Sequence, residues 1–298
     1  MRCEYCSKGM PMKIIGILLQ RDEIDVVLFN VLYHLGNVGL NRIILGDNGS
    51  TDGSMEALRR LEKIDPRLMV LELPGEFEQA ERVNQMYQLA LDLGADWVVP
   101  LDADEFLSVN RRSLESLLLN NKATVLNLEI RNFVQKRTSM TKRMLNIATM
   151  IYTAVPSPSA ENAMSLVCDG KIGFVEATYP PKYIWRADRQ LKIWKGNHGG
   201  NISFTNKSPK IELYHVPLRS KSAIEKRIQR IERLEKGPPD SSWHIKRLAT
   251  VDIDEEWRRN SYSGGALHVN GERHDVELNL FFLKIFLRFA PVVWWLLR

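Results

Sequence analysis

The chain has 298 residues, of which 44% are hydrophobic and 26% charged, a composition that excludes extensive disorder. A chain of this length buries a large core, so it needs neither disulfides nor a structural metal to fold. Its 41 basic and 36 acidic residues give a net charge of +5, which suits a phosphate-bearing ligand or an anionic membrane surface. The sequence has no basic stripe interleaved with aromatic residues, so we expect no nucleic-acid partner.

The cysteines and the amino-terminal leader bear on the compartment. Cys3, Cys6 and Cys168 cannot form a disulfide framework, which favours a reducing environment. The leader, residues 1–11, lacks the long apolar core of a signal peptide, so we expect a cytoplasmic protein. Cys3 and Cys6 form a Cys-x-x-Cys pair, but without further ligands at metal-binding spacing they are weak evidence for a zinc or redox site.

The first half of the chain alternates between strand-like and helix-like segments. The predicted strands are residues 13–19, 42–45, 68–73, 97–101 and 124–130. The predicted helices are residues 22–35, 55–61, 78–93 and 113–119. This alternation is typical of an α/β fold, with a mostly parallel sheet covered by helices on both faces. Ligands of such sheets bind at the carboxyl ends of the strands.

The second half is less regular. The spacing of apolar residues predicts an amphipathic helix over 223–236, which Gly237-Pro238-Pro239 ends. Residues 240–276 are polar, whereas residues 278–297 are almost wholly apolar. We therefore predict a helical C-terminal region that ends in an apolar tail.

Two acidic turns follow the second and fourth predicted strands. Asp102 and Asp104 directly follow a strand, and carboxylates in this position suit Mg²⁺ or Mn²⁺ bound together with substrate phosphates. The alternative is a solvated turn in which Asp104 caps a helix. Residues 47–53 form the other turn, which is either a simple turn and helix cap or a nucleoside site.

The order of these segments resembles the GT-A glycosyltransferases of the family 2 type, and among them the subgroup whose metal motif reads D-x-D-E-F. The resemblance is strongest over residues 13–110 and rests on residues 20–23, 43–53, 94–106, 192–199 and 214–220. It implies a GT-A-like catalytic domain at 12–220, followed by a C-terminal helical region at 221–298. It also implies a nucleotide-sugar donor and a divalent metal, Mn²⁺ or Mg²⁺.

The resemblance implies a role for each matching residue. The implied donor-binding residues are Asp47, Asp52, Asp102, Arg219 and Ser220. The implied metal ligands are Asp102, Asp104 and His215. The alternatives are purely structural roles: His215 as a half-buried strand histidine and Arg219 as a solvated surface charge.

An inverting sugar transfer also needs a general base that takes the acceptor hydroxyl proton. Related enzymes often carry an acidic pair after the D-x-D, and this sequence has no clear Glu-Asp pair between residues 150 and 200. The candidates are Asp188, His198, Glu161 and Glu176. Asp188 is narrowly preferred because it precedes the 192–199 segment, and His198 comes next.

The apolar tail is long enough to span a bilayer, but its charges favour a different position. Lys284 and Arg288 lie four residues apart and share one helical face, and Pro291 interrupts the run. This pattern favours a helix that lies in the membrane interface, at the inner face of the membrane. The alternative is a C-terminal helix packed on the catalytic domain. If the tail lies in the membrane interface, we expect deletion of residues 278–298 to release the protein from membranes without unfolding it.

Together these features predict a hexosyltransferase-type enzyme that moves a sugar from a nucleotide-sugar to a glycan or lipid-linked acceptor in cell-surface polysaccharide synthesis. A nucleotidyltransferase of similar fold is one alternative, but it requires a glycine-rich loop after the first strand, and residues 19–23 contain no glycine. A non-catalytic glycan-binding protein is the other. It would show no metal-dependent binding of nucleoside diphosphates.

Overall fold

The computed structural model describes residues 12–75, 78–120, 124–138, 143–156, 163–202, 210–229 and 247–298. Within these residues the strands are β1 Ile14–Gln20, β2 Arg42–Asp47, β3 Leu68–Glu72, β4 Trp97–Asp102, β5 Glu105–Leu107, β6 Val125–Lys136, β7 Tyr152–Ala154, β8 Lys182–Arg186, β9 Lys210–His215, β10 Ser261–Tyr262, β11 Ala266–Val269 and β12 Glu272–Leu278. The helices are α1 Val27–Tyr33, α2 Ser54–Ile64, α3 Gln79–Asp92, α4 Arg111–Asn120, α5 Ala163–Cys168, α6 Lys221–Gln229, α7 Ile253–Arg259 and α8 Phe281–Leu296.

The predicted α/β class is confirmed, and the five predicted strands are present. The sheet is mixed: β1 to β4 run parallel to one another, in the order β4-β1-β2-β3, whereas β6, β7, β8 and β12 extend it through antiparallel pairs. Because β1, β2 and β4 are parallel, their carboxyl ends meet at one edge. Gln20 lies opposite Asp47 there, and Leu19 lies opposite Asp102.

Each face of the sheet is buried by a separate apolar cluster. Along β1, Ile14 and Leu18 join the cluster under α1, α2 and α4, and Ile15 and Ile17 join the cluster under α3. This alternation follows from the period of two of a strand, and burial on both faces explains why β1 is apolar throughout.

Helix α1 begins later than its sequence pattern indicates. The predicted helix spans residues 22–35, but residues 21–26 form bends and turns, and the regular helix begins at Val27. After Tyr33 the chain widens into a π-helical turn, His34–Val38, which ends at Gly39 with a φ of 71°. The residues before Val27 are therefore free of helical geometry, and Asp22 to Asp25 line the edge near the first acidic turn.

The C-terminal part is not wholly helical. In addition to α6, α7 and α8, it forms β10, β11 and β12, and β12 pairs with β7 at the edge of the sheet. The sequence pattern did not predict these strands. Helix α6 ends at Gln229, and the rest of the predicted 223–236 helix lies outside the described residues, as do the leader with Cys3 and Cys6 and the candidate base Glu161. The boundary at residue 220 stays a prediction.

The apolar tail forms α8, which packs against α1, α2 and the 3₁₀ helix Arg143–Thr149. Its buried face belongs to the larger apolar cluster and consists of Phe282, Ile285, Phe289, Ala290, Val293 and Leu296. The expectation that the tail is dispensable for folding is therefore wrong, because its deletion would open the main core. Among the described residues, no helix is long and apolar enough to cross a membrane.

Candidate active site at the carboxyl edge of the sheet

The turn after β2 is built around two aspartates that bind the backbone. Asp47 is buried, and its carboxylate accepts hydrogen bonds from the Gln20 side-chain amide and from the backbone N–H of Ser50 at 2.8 Å. Asp52 accepts from the backbone N–H groups of Ile24 at 3.0 Å and Ser54 at 3.1 Å. Asp52 thus ties the start of α2 to the 21–26 segment, and the N-cap residue of α2 is Gly53.

Asp102 ends β4 and forms an ion pair with a buried lysine. Lys182, at the start of β8, places its Nζ 2.6 Å from Asp102 Oδ2 and 2.6 Å from Glu105 Oε1. Burial opposes the charge of Lys182, but the two carboxylates raise its pKa above the ordinary value. The Asp102 side chain remains 36% exposed at the edge of the sheet, and the buried Lys182 ammonium partly neutralises its charge.

Glu105 is the buried partner of the same lysine. Burial raises the pKa of Glu105, and the Lys182 ammonium opposes that rise. Its second oxygen, Oε2, accepts the backbone N–H of Asp102 at 3.1 Å. Glu105 and Lys182 therefore fix the backbone and the side chain of Asp102 at once.

His215 reaches Asp104 because β9 lies between β5 and β6. In this register His215 lies opposite Glu105 on one side and Asn132 on the other. The Asn132 amide nitrogen donates to the carbonyl of Val175 at 2.9 Å, so the Asn132 oxygen faces His215 Nδ1 at 2.8 Å. An amide oxygen only accepts, which requires Nδ1 to carry a proton.

The other ring nitrogen of His215 then faces a carboxylate. His215 Nε2 lies 3.5 Å from Asp104 Oδ2, too far for a good hydrogen bond. In the neutral imidazole Nε2 is an acceptor, so two acceptor atoms face each other, and Arg219 Nη1 lies 3.6 Å from the same Asp104 oxygen. A divalent cation shared by Asp104 and His215 would lie beside this guanidinium. An imidazole oriented through its second nitrogen is also common among metal-ligating histidines.

The predicted metal ligands are thus brought together only in part. Asp104 and His215 fit a divalent cation, since carboxylate oxygen and neutral imidazole nitrogen both bind Mn²⁺-type ions. Asp102, the third predicted ligand, is paired with Lys182. Within the described ranges, no cluster of three or more His, Cys, Asp or Glu side chains is arranged to hold a metal ion.

Arg219 and Ser220 both have partners within the chain, and their implied roles in donor binding stay predictions. The Arg219 side chain is 6% exposed, and its guanidinium binds Asp25 at 2.8 Å, Glu23 and the carbonyl of Val216 at 3.1 Å. Its Nη1 also lies 3.6 Å from Asp104 Oδ2, so Arg219 is a buried charge beside the D-x-D turn and not a solvated surface charge. It ties the segment before α1 to the end of β9. The Ser220 hydroxyl accepts the backbone N–H of Ala223 at 3.3 Å and caps α6.

The segment after β8 brings His198 toward Asp102. Asn197 adopts a left-handed φ of 62°, and its amide nitrogen lies 3.4 Å from Asp102 Oδ1. His198 Nδ1 lies 3.3 Å from the carbonyl oxygen of Pro181, next to Lys182. Burial, followed by the Lys182 charge, lowers the pKa of His198, so its imidazole is neutral at neutral pH. A neutral imidazole accepts a proton, as a general base must.

The structure contradicts Asp188 as the general base. Strand β8 runs antiparallel to β4 and pairs Arg186 with Trp97, the first residue of β4. Asp188 lies two residues beyond that pair, exposed at the edge opposite Asp102, and it accepts the backbone N–H of Gln190 at 2.8 Å. About 16 Å of strand separates the two ends of β4. Asp188 precedes residues 192–199 in sequence, but it lies at the other end of β4 from Asp102.

Glu176 is also contradicted as a base. It is buried, and its carboxylate is engaged by the backbone N–H of Gly173 at 2.7 Å and by His274 Nδ1 at 2.7 Å. These partners tie the 3₁₀ turn Phe174–Glu176 to β12. His198 is the remaining candidate within the described residues.

Part of this edge matches a known family. The model of glycosyl transferase family 2 matches residues 22–164. The family 2 segment contains both acidic turns and Asn132, and it ends before Lys182, His198 and His215. The family match therefore covers the two acidic turns, and the remaining residues of the site come from the chain that follows.

Three individual proteins show what the chain is similar to. Succinoglycan biosynthesis protein ExoA of Rhizobium meliloti (strain 1021) is 39% identical over 62 residues, which is 21% of this chain and only 18% of the relative's length. The S. aureus TarS fragment 1–349 in complex with UDP-GlcNAc has a TM-score of 0.43 at 11% identity, over 83% of this chain and 72% of that fragment. The mannosyltransferase PcManGT from Pyrobaculum calidifontis, in complex with GDP-Man and Mn²⁺, has a TM-score of 0.38 at 14% identity, over 82% and 72%.

Sequence reasoning missed Lys182, Asn132 and Asn197. Asn197 lies within the 192–199 segment but received no role there, and Lys182 and Asn132 lie in no motif. Each of the three contacts a partner that is distant in sequence.

Proposed function

We propose that the chain is a family 2 glycosyltransferase that transfers a sugar from a nucleotide-sugar to a saccharide acceptor. The observation that carries this proposal is the meeting of Asp47, Asp102 and the Asp104–His215 pair at one carboxyl edge. The edge is the usual ligand position of a parallel sheet. The family 2 match over residues 22–164 supports the same function.

The protein side chains divide the work by charge and position. Asp47 offers a buried carboxylate to the nucleoside, and Asp102 offers a half-neutralised one to the ribose or the diphosphate. Asp104 and His215 are the side chains that would hold a divalent cation. When bound, that cation supplies Lewis-acid stabilisation of the charge on the departing diphosphate. Lys182 keeps Asp102 in place and limits the negative charge that the diphosphate meets.

His198 is the proposed base. It takes the proton of the acceptor hydroxyl as the acceptor oxygen bonds to the anomeric carbon and the bond to the diphosphate breaks, which inverts the configuration. A matched pair of variants tests this role. We expect His198→Ala to abolish transfer while retaining donor binding, and Asp188→Ala to retain both. Loss of transfer in Asp188→Ala instead would reverse the assignment.

The acceptor class and the position in the cell are part of the same proposal. The similarity to a succinoglycan biosynthesis protein supports a role in polysaccharide synthesis. A hexosyl donor and a polysaccharide or lipid-linked acceptor are part of the proposal. The outer face of α8 exposes Leu287, Trp294 and Trp295 beside the cations Lys284 and Arg288. Such a face suits the headgroup region of an anionic membrane, so we place the protein at the inner membrane surface, in the cytoplasm.

The direct test is a panel of nucleotide-sugars with Mn²⁺ or Mg²⁺, read by the release of free nucleoside diphosphate. A glycosyltransferase releases nucleoside diphosphate from one member of the panel, and chelation of the metal abolishes the release. Release of inorganic pyrophosphate from a nucleoside triphosphate and a sugar phosphate would instead identify a nucleotidyltransferase. Saccharide binding without any nucleotide binding would identify a glycan-binding protein.

A further inference from the structure

An exposed tryptophan, Trp194, lies at the rim of the proposed active site. Trp194 is 59% exposed, although it is one of the largest apolar side chains. One face of its indole lies on the backbone of Gly199. A Cβ at residue 199 would lie 2.7 Å from Trp194 Cε3 and 2.9 Å from Cζ3. Only glycine allows this flat packing, so the ring has one supported face and a surface left open to solvent.

The backbone that carries Trp194 is held on several sides. The Asn84 side chain of α3 accepts the N–H of Ile193 at 2.9 Å and donates to its carbonyl at 2.8 Å. The N–H of Trp194 donates to the carbonyl of Gly199 at 2.9 Å. Asn201 accepts the N–H of Lys192 at 2.6 Å. A ring on such a support loses little conformational entropy when a ligand covers it.

The same loop contains the proposed base, His198, and contacts the first D-x-D aspartate, Asp102. Asn197 contacts Asp102, and His198 contacts Pro181 at the start of β8. The loop therefore lies on the β4–β8 side of the edge. Asp47 ends β2, two strands away on the other side of β1, at a distance of about 10 Å across the sheet. The nucleoside position and the Trp194 position are thus separate.

We propose that Trp194 is the platform for the acceptor, and that its open surface stacks against the apolar C–H face of a pyranose ring. Trp194 lies four residues before His198 in the same loop, so an acceptor stacked on Trp194 would lie near the proposed base that must reach its hydroxyl. Lys192 and Lys195, which are exposed and lie two residues before and one residue after Trp194, can donate hydrogen bonds to sugar hydroxyls or to an acidic substituent. This subsite rests on the proposed glycosyltransferase function and adds the residue that selects the acceptor.

Saturation-transfer NMR tests the platform without the donor. The probes are methyl β-D-glucoside, methyl β-D-galactoside, methyl α-D-mannoside and cellobiose. We expect at least one to bind the native chain through its ring C–H protons, and Trp194→Ala and Trp194→Leu to weaken that signal about fivefold or more. Trp194→Phe should retain a larger share, because it keeps an aromatic face. Trp295→Ala is the matched control, since Trp295 is also 59% exposed but lies on α8.

The nucleotide-sugar affinity of each variant is measured on the same samples, with melting curves as the check on folding. An unchanged affinity in Trp194→Ala is expected, because the platform serves the acceptor only. Equal saccharide signals in the native chain and Trp194→Ala, no saccharide binding by the native chain, or a matching loss of nucleotide-sugar affinity would overturn the inference. Failure of the proposed function itself would appear separately, as a native chain that binds no nucleotide-sugar.

Discussion

His34 should make the stability of this protein sensitive to mild acid. It lies fully buried at the end of α1, where its ring stacks on Phe106 and meets Tyr33 edge-on. His34 Nδ1 donates to Asn30, and Nε2 accepts the backbone N–H of Leu107 at 3.2 Å. A proton on Nε2 would face that N–H, so the folded state requires the neutral ring. Burial accordingly lowers the pKa of His34 from 6.5 to about 3.

The sign and size of the effect follow from this lowered pKa. The unfolded chain binds a proton at His34 below pH 6.5 and the folded chain does not, so the free energy of unfolding is highest above pH 6.5 and falls as the pH drops toward about 3. Each pH unit in that window costs about 1.4 kcal/mol, or roughly 2 kcal/mol between pH 6.5 and 5. The full difference is on the order of 5 kcal/mol.

Urea denaturation at several pH values between 7.5 and 5 measures this contribution. We expect the difference in unfolding free energy between the native chain and His34→Gln to shrink by about 2 kcal/mol over that range. His268→Gln is the matched control, because His268 is exposed and should leave the native pH profile unchanged. Parallel profiles for the native chain and His34→Gln would refute the reasoning.

The same network connects acid sensitivity to the site. The Asn30 side-chain amide, which is held against His34, donates to the carbonyls of Ala103 at 3.0 Å and Glu105 at 2.7 Å. These two carbonyls flank Asp104, so loss of the neutral His34 ring should loosen the D-x-D turn together with the fold.

Three further predictions concern the Lys182–Glu105 ion pair and the two faces of α8. Lys182→Met leaves the Glu105 carboxylate buried without its partner and should lower the free energy of unfolding by about 3–5 kcal/mol in urea denaturation. The double variant with Glu105→Gln should recover most of this loss. Equal stability of the single and double variants would contradict the ion pair. Deletion of residues 278–298 should abolish cooperative melting, because it removes the buried face of α8. Leu287→Ser together with Trp295→Ser should keep the melting temperature but reduce flotation with anionic liposomes, and undiminished flotation would rule out the membrane surface proposed for α8.

The parallel half of the fold was predictable because its strands are apolar on both faces and its helices carry a regular apolar period. The two acidic turns could also be located, since they follow strands whose carboxyl ends must share an edge. Lys182 and Asn132 could not be found in this way. Their roles depend on which residues of β8 and β6 lie beside Asp102 and His215, and the register of pairs so distant in sequence leaves no local pattern.

The tail shows a different limit. Residues 281–296 are apolar around most of the helix, so the pattern alone does not separate a helix at a membrane from one packed in a core. The structure buries one face against α1 and α2 and leaves Leu287 and Trp295 outside. Arg219 illustrates the same point for a charge: its motif position did not indicate that the acidic segment before α1 pairs with it beside Asp104.

Titration calorimetry with UDP-GlcNAc and GDP-mannose, extended to other nucleotide-sugars, tests the central claim most directly. Each titration is run with Mn²⁺ and with chelator, on the native chain and on Asp104→Asn, a variant that keeps the size of the side chain. The account predicts that one nucleotide-sugar binds the native chain in the presence of Mn²⁺, and that chelation or Asp104→Asn weakens binding at least about tenfold with an unchanged melting temperature. Binding of equal strength under all of these conditions, or no binding of any nucleotide-sugar, would contradict it.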